Sequence, residues 1–338
     1  MNYFDRRILY RARQVLNHLS HIITPLQTLA KPFVYTGYVD KFDKDANDYL
    51  FNYLCENENN AVMIAKFGSI ELDNIVAYRL NDSHLTYNSF KDLVIGNVSQ
   101  NYEDNFQYLC SNAGFFPYDS SLAKGYYDRM CKDILQIDIL CSYQYKERYV
   151  KDLMRDCKCR VNLDGFYSPF LWQRDGCKPW TSFLKGKRVL VIHPFVESIR
   201  YQYENNRDKL WDNPDVLPEF RELLTFKAVQ SIADNKNLPY KDWFEALEYM
   251  EGEISKKNFD VALIGCGAYG MCLAAHVKRM GKIAIHLAGW TQFLFGVYGK
   301  RWLEDEPKYS KFINKYWIRP NQTEKPVGLE KVENGCYW

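Results

Sequence analysis

Apolar and polar positions follow two distinct periods along this chain. Short, mostly apolar runs recur at Ala61–Ala65, Arg188–Ile192, Phe259–Ile264 and Ile283–His286. Runs of this length, rich in Val and Ile and with no polar alternation, predict strands buried on both faces, as in a parallel sheet. Between them the apolar positions return every three to four residues. Asp43 to Glu56, much of Glu71 to Met154, Tyr240 to Lys257, and Met271 to Met280 therefore read as helices. The second stretch breaks near Asn112–Pro117, and within it Ile134 to Leu140 reads as a strand; Leu223 to Val229 is a further one. Strands alternating with helices predict an α/β fold, with a Rossmann-like parallel sheet flanked by helices.

The same pattern divides the chain into three parts. Residues 1–39 form a basic amphipathic segment, with Ile8, Leu9, Val15, Leu16, Leu19 and Ile22 opposite Arg6, Arg7, Arg11 and Arg13, ended by Pro25. Such a helix packs on its own domain, packs on a second copy in a homo-oligomer, or lies on anionic lipid as a peripheral membrane contact. Residues 40–305 hold the alternating domain, and 306–338 read as an irregular C-terminal tail with Pro320, Pro326 and a final Cys336-Tyr-Trp338.

Charge adds an exclusion. Lys and Arg number 44 against 42 Asp and Glu, a formal +2, so no field of one sign points to nucleic acid as a partner. The 16% aromatic content suits sugar or base faces, or simply reflects a Tyr-rich composition. Ten cysteines do not form a disulfide framework: Cys266 and Cys272 lie in apolar runs, and Cys157 and Cys159 are too close for a zinc knuckle. With no export signal in Met1–Arg13 and no bilayer-length apolar segment, the expected compartment is the cytoplasm. The Asn-x-Ser/Thr triplets at Asn81, Asn97 and Asn321 are then chance matches.

In open α/β sheets ligands bind where strands pass into helices at their carboxyl ends. Four such ends carry candidate chemistry. Lys66-Phe-Gly-Ser-Ile-Glu71 follows the first strand: Gly68 admits close backbone approach, Ser69 caps a helix, and Glu71 falls in its first turn. His193-Pro-Phe-Val-Glu-Ser-Ile-Arg200 sends an imidazole, a carboxylate and a guanidinium from one strand end, with His193 and Glu197 four apart on a shared helix face. Gly265-Cys-Gly-Ala-Tyr-Gly270 has G-x-G-x-x-G spacing between strand and helix, the context in which backbone N–H groups hold a pyrophosphate. Gly289 to Trp302 brings Lys300 and Arg301 within reach of a phosphate, with Trp302 placed to stack on a base or sugar. The strand after the glycine loop ends in His286-Leu-Ala-Gly289, without the acid that would hold a ribose, which disfavours an oxidoreductase or methyltransferase.

Together Lys66–Glu71, Val189–Phe195, Leu263–Gly270, Ala284–Gly289 and Phe295–Trp302 resemble the GT-D-type and GT-D-like glycosyltransferases of polysaccharide loci, over roughly residues 40 to 305. The resemblance implies a hexosyltransferase-type enzyme. It moves a sugar from a nucleotide-sugar donor to a carbohydrate acceptor, lipid-linked in some cases, in capsule, O-antigen or exopolysaccharide synthesis at the inner face of the plasma membrane. Read on their own chemistry, the catalytic residues are Glu71, His193 and Glu197, with His193 or Glu197 taking the acceptor proton. Lys66, Gly68, Ser69, Arg200, Gly265, Gly267, Ala268, Tyr269, Gly270, Gln292 and Arg301 then bind the donor. The chain departs from the family at one point. Where GT-D members resemble Arg-Phe-Gly-Asp-x-Glu, it has Ser69 in place of the Asp, leaving Glu71 as the lone protein ligand for Mn²⁺ or Mg²⁺, with Lys66, Arg200 or Arg301 as substitute positive charge. Loss of that Asp also admits a second reading, a non-catalytic scaffold of a polysaccharide assembly complex.

Overall fold

Seven short parallel strands make one sheet in the computed structural model, which describes residues 38–82, 86–94, 96–171, 178–232, 238–304, 307–329 and 335–338. The basic N-terminal segment lies outside them but for its last two residues. The strands are β1 (Val62–Ala65), β2 (Ile139–Ser142), β3 (Cys159–Asn162), β4 (Arg188–His193), β5 (Glu222–Lys227), β6 (Val261–Ile264) and β7 (Ile283–His286). Their spatial order is β3-β2-β1-β7-β6-β4-β5. The chain winds outward from β1 through β2 to β3, crosses to β4 and β5, and returns to insert β6 and β7 between the two halves. The α/β class and parallel sheet expected from the apolar runs are what the chain adopts.

Strand alternation sorts each run between two cores. Met63, Ala65, Leu140, Leu190, Ile192, Ala262 and Ile264 face helices α2 (Ser69–Asp82), α3 (Ala123–Ile134), α5 (Trp243–Ser255) and α6 (Gly270–Arg279). Val62, Ile64, Ile139, Val191, Leu263 and Ile285 face α1 (Asp43–Glu56), α4 (Val196–Leu210) and α7 (Trp290–Leu294). Because both faces are covered, the strands read as continuous apolar runs.

Two elements differ from expectation. The run Ile134–Leu140 is not one strand: Ile134 ends α3, and β2 begins only at Ile139. A turn intervenes, with the Gln136 amide bonded to Asp133 O at 3.0 Å, while the Asp138 carboxylate accepts the Met63 amide at 2.8 Å. Strand β3 was not anticipated, since four residues with Arg160 among them carry little apolar signal.

The aromatic content has a structural use. Beneath the second face Tyr167, Phe170, Trp211, Trp290, Phe293, Trp302, Tyr309 and Trp317 pack edge-to-face and offset. Trp290 lies 4.3 Å from Tyr309 and Phe293 4.7 Å from Trp317, between ring centroids. Trp302, expected to stack on a ligand, is fully buried in this layer. The described cysteines are all free thiols, and no helix among the described residues is long and apolar enough to cross a membrane.

Candidate functional site

A cleft opens at the carboxyl ends of the central strands, where the winding reverses. After β1 the chain runs through Lys66 and Gly68 into α2. The Glu71 carboxylate folds back over Gly68, where a Cβ would lie 1.8 Å from a carboxylate oxygen. Gly68 therefore makes room for a side chain of its own helix turn. Lys66 is 8% exposed, with its ammonium 5.0 Å from the centre of the Tyr143 ring. Tyr143, the residue after β2, donates its hydroxyl to Phe67 O at 2.8 Å. Burial raises its phenol pKa, and the charges of Glu71 and Glu147 raise it further while Arg301 opposes them, so Glu71 and Arg301 both act on this ring. Behind it Glu147 is fully buried, accepts the Tyr143 and Gln144 amides at 3.0 Å each, and is pushed by burial up to about 7.

At the end of β4, His193 lines the cleft and is 3% exposed. Its Nδ1 accepts the Phe195 amide at 3.0 Å, which places the ring proton on Nε2. Burial lowers its pKa to about 3, so the imidazole is neutral and offers an N–H donor rather than a lone pair.

The rest of that motif turns away. Helix α4 starts at Val196, and its first turn is closed by Glu324 from the tail. The Glu197 amide donates to that carboxylate at 2.7 Å, and Ser198 does so through its amide at 3.1 Å and its hydroxyl at 2.5 Å. The Glu197 carboxylate accepts from Thr323 Oγ1 at 2.9 Å, and exposed Arg200 donates to Thr225 of β5. Neither lines the cleft, so the expected shared face of His193 and Glu197 does not form and Arg200 stands outside the cleft.

The glycine loop packs closely against its neighbours. A Cβ at Gly265 would lie 2.2 Å from Ala288 O, at Gly267 2.5 Å from Ala113 O, and at Gly270 2.3 Å from His286 Nε2. All three glycines make room for close protein neighbours. Gly265, Cys266, Gly267 and Tyr269 still line the cleft, whereas Ala268 and Gly270 are buried behind it. Tyr269 stacks on Trp243 with ring centres 5.3 Å apart, and its hydroxyl lies 2.9 Å from Ser231 Oγ. His286 donates from Nδ1 to Lys66 O at 3.0 Å, and burial and the Lys66 charge lower its pKa to about 3.

The remaining wall comes from the end of the chain. Gln292 is buried and donates Nε2 to Tyr337 O at 3.1 Å, while the Arg301 amide donates to Cys336 O at 2.7 Å. Arg301 and Tyr337 both line the cleft, as do Asn112 and Ser231.

No family model, curated protein or solved structure matches this chain. What the cleft can do follows from its own groups.

Among the described residues no group of three or more His, Cys, Asp or Glu is placed to hold a metal ion. Glu71 shares the cleft with Lys66 and Arg301, and Ser69 is exposed. This donor set does not fit a divalent cation held by the protein. It fits a ligand with an anionic part for the two cations and hydroxyls for the carboxylate, the imidazole N–H and the neutral wall. Tyr143 and Tyr337 are the contributors that sequence reasoning missed. Tyr143 obeys the strand-end rule, but the apolar run Ile134–Leu140 points to a strand end short of it, whereas β2 runs to Ser142. For Tyr337 no local signal exists.

Proposed function

We propose that this chain is a sugar-nucleotide-dependent glycosyltransferase, with donor and acceptor meeting in the cleft at the ends of β1, β7, β6 and β4. The observation that carries this reading is the convergence of Lys66, Arg301, Glu71 and Tyr143 on one cleft, with Lys66 over the Tyr143 ring and the neutral His193 in the same lining. Two cations beside one carboxylate meet the needs of sugar transfer from a diphosphate: charge for the leaving group and an acceptor for one proton.

In this mechanism Lys66 and Arg301 hold the donor diphosphate. The acceptor hydroxyl oxygen attacks the anomeric carbon and its proton passes to Glu71. The bond from that carbon to the diphosphate oxygen breaks with both electrons on the leaving group, where the cations balance the new charge. His193 Nε2–H hydrogen-bonds a ligand oxygen and fixes its orientation. Glu71 takes the proton because His193 presents a donor and Glu197 faces outward. The motif resemblance supports a surface-polysaccharide acceptor, lipid-linked or free, and a cytoplasmic enzyme at the inner face of the membrane.

A thermal-shift panel against UDP-, GDP-, CMP- and dTDP-sugars, with and without Mn²⁺, tests the reading. Stabilisation by several degrees with one nucleotide class is expected, with little dependence on Mn²⁺. Indifference to all four would return the chain to the scaffold reading.

A further inference from the structure

Tyr337 reaches the cleft from the far end of the chain, and two glycines make way for it. A Cβ at Gly289 would lie 2.2 Å from its ring, and one at Gly299 2.3 Å from its carbonyl carbon. The backbone around it is tied down: the Lys300 amide donates to Trp338 O at 3.1 Å, the Arg301 amide to Cys336 O at 2.7 Å, and Gln292 Nε2 to Tyr337 O at 3.1 Å. Its hydroxyl accepts a hydrogen bond from Arg301 Nη1, and the guanidinium stands 5.2 Å from the ring centre. A long arginine side chain loses rotamer freedom when it binds an anion, and one already held by a ring face and a hydroxyl oxygen loses less. Arg301 and Tyr337 line the same cleft as Lys66, Glu71 and Tyr143, and the charges of both act on the Tyr143 ring.

We infer that Tyr337 is a positioning residue, presetting the Arg301 guanidinium for the diphosphate of a nucleotide-bearing ligand. The inference rests on the proposed donor site. It gives the tail a function at that site beyond covering it: the last described residues set how tightly the anionic part of the ligand is held.

The test is calorimetric titration of the full chain with UDP, GDP, dTDP and CDP, in wild type and in variants Y337F, G289A, R301A and Y337F/R301A. For the diphosphate that wild type binds, Y337F is expected to weaken affinity about tenfold, the scale of one hydrogen bond to a charged group. G289A, whose new methyl displaces the Tyr337 ring without altering Arg301, is expected to do the same. In the R301A background Y337F is expected to add less than about twofold, because the two residues act as a unit. Binding of none of the four by wild type would overturn the donor site and this inference with it. Tight binding that Y337F and G289A leave unchanged, or an equal loss with and without Arg301, would overturn the inference alone.

Discussion

Two strand ends, those of β1 and β4, look alike in sequence: each leads into a helix with a glutamate in its first turn, Glu71 in α2 and Glu197 in α4. Their structures are opposite. After β1 the glutamate bends back over Gly68 and stays in the cleft. After β4 the helix N-terminus is filled by Glu324, 127 residues further along than Glu197, and Glu197 is left at the surface with Thr323. A helix N-terminus attracts one carboxylate strongly. Which carboxylate arrives decides whether the strand end serves a ligand or the fold.

The sharpest way to break this comparison is to neutralise both glutamates. Glu71→Gln is expected to lower kcat for sugar transfer at least about a hundredfold, the usual scale of a lost proton acceptor, with an unchanged melting temperature. Glu197→Gln should change it less than about twofold, and a large loss there would place Glu197 back in the site. Glu324→Gln comes next. It weakens hydrogen bonds to two amides and one buried hydroxyl, and should cost about 1–3 kcal/mol in denaturant unfolding while sparing the cleft. A loss of activity larger than the loss of folded protein would show that the α4 terminus does reach the ligand.

Smaller effects sharpen the account of the cleft's histidines. His193 and His286 both have pKa values lowered by burial to about 3, against about 6.5 in the unfolded chain. Their contribution to stability is therefore complete above about pH 6.5 and is lost as pH falls from there toward 3. Each should add about one proton to the slope of stability against pH in that window, so His193→Gln is expected to reduce the slope by about one. Smallest of all, kcat should show no limb from His193 between pH 6 and 8. A limb in that range that disappears in His193→Gln would show that the ring titrates as a base after all.

What was legible in the sequence follows from the range of the interaction responsible. Val189–Ile192, Val261–Ile264 and Ile283–Ile285 announce themselves because a strand buried on both faces is apolar at every position. Lys66, Glu71 and His193 were found because they follow such strands directly. The outward turn of Glu197 and Arg200 was not legible, because its cause is a glutamate in a tail with no periodic pattern. Tyr337 was hidden for the same reason. β3 escaped because only Val161 and Cys159 of its four residues are apolar, and an edge strand needs no more.

The three glycines of the Gly265–Gly270 loop have a consequence for any mutational survey of this protein. Each faces a fixed neighbour, two of them backbone carbonyls that cannot swing aside, and Gly267 also has φ +54°. Saturation mutagenesis should therefore score all three as intolerant even in a selection that reads only folding and ignores catalysis. In this loop, intolerance measures the closeness of Ala113, Ala288 and His286, so a map of fitness alone would not tell a packing seam from a substrate cradle.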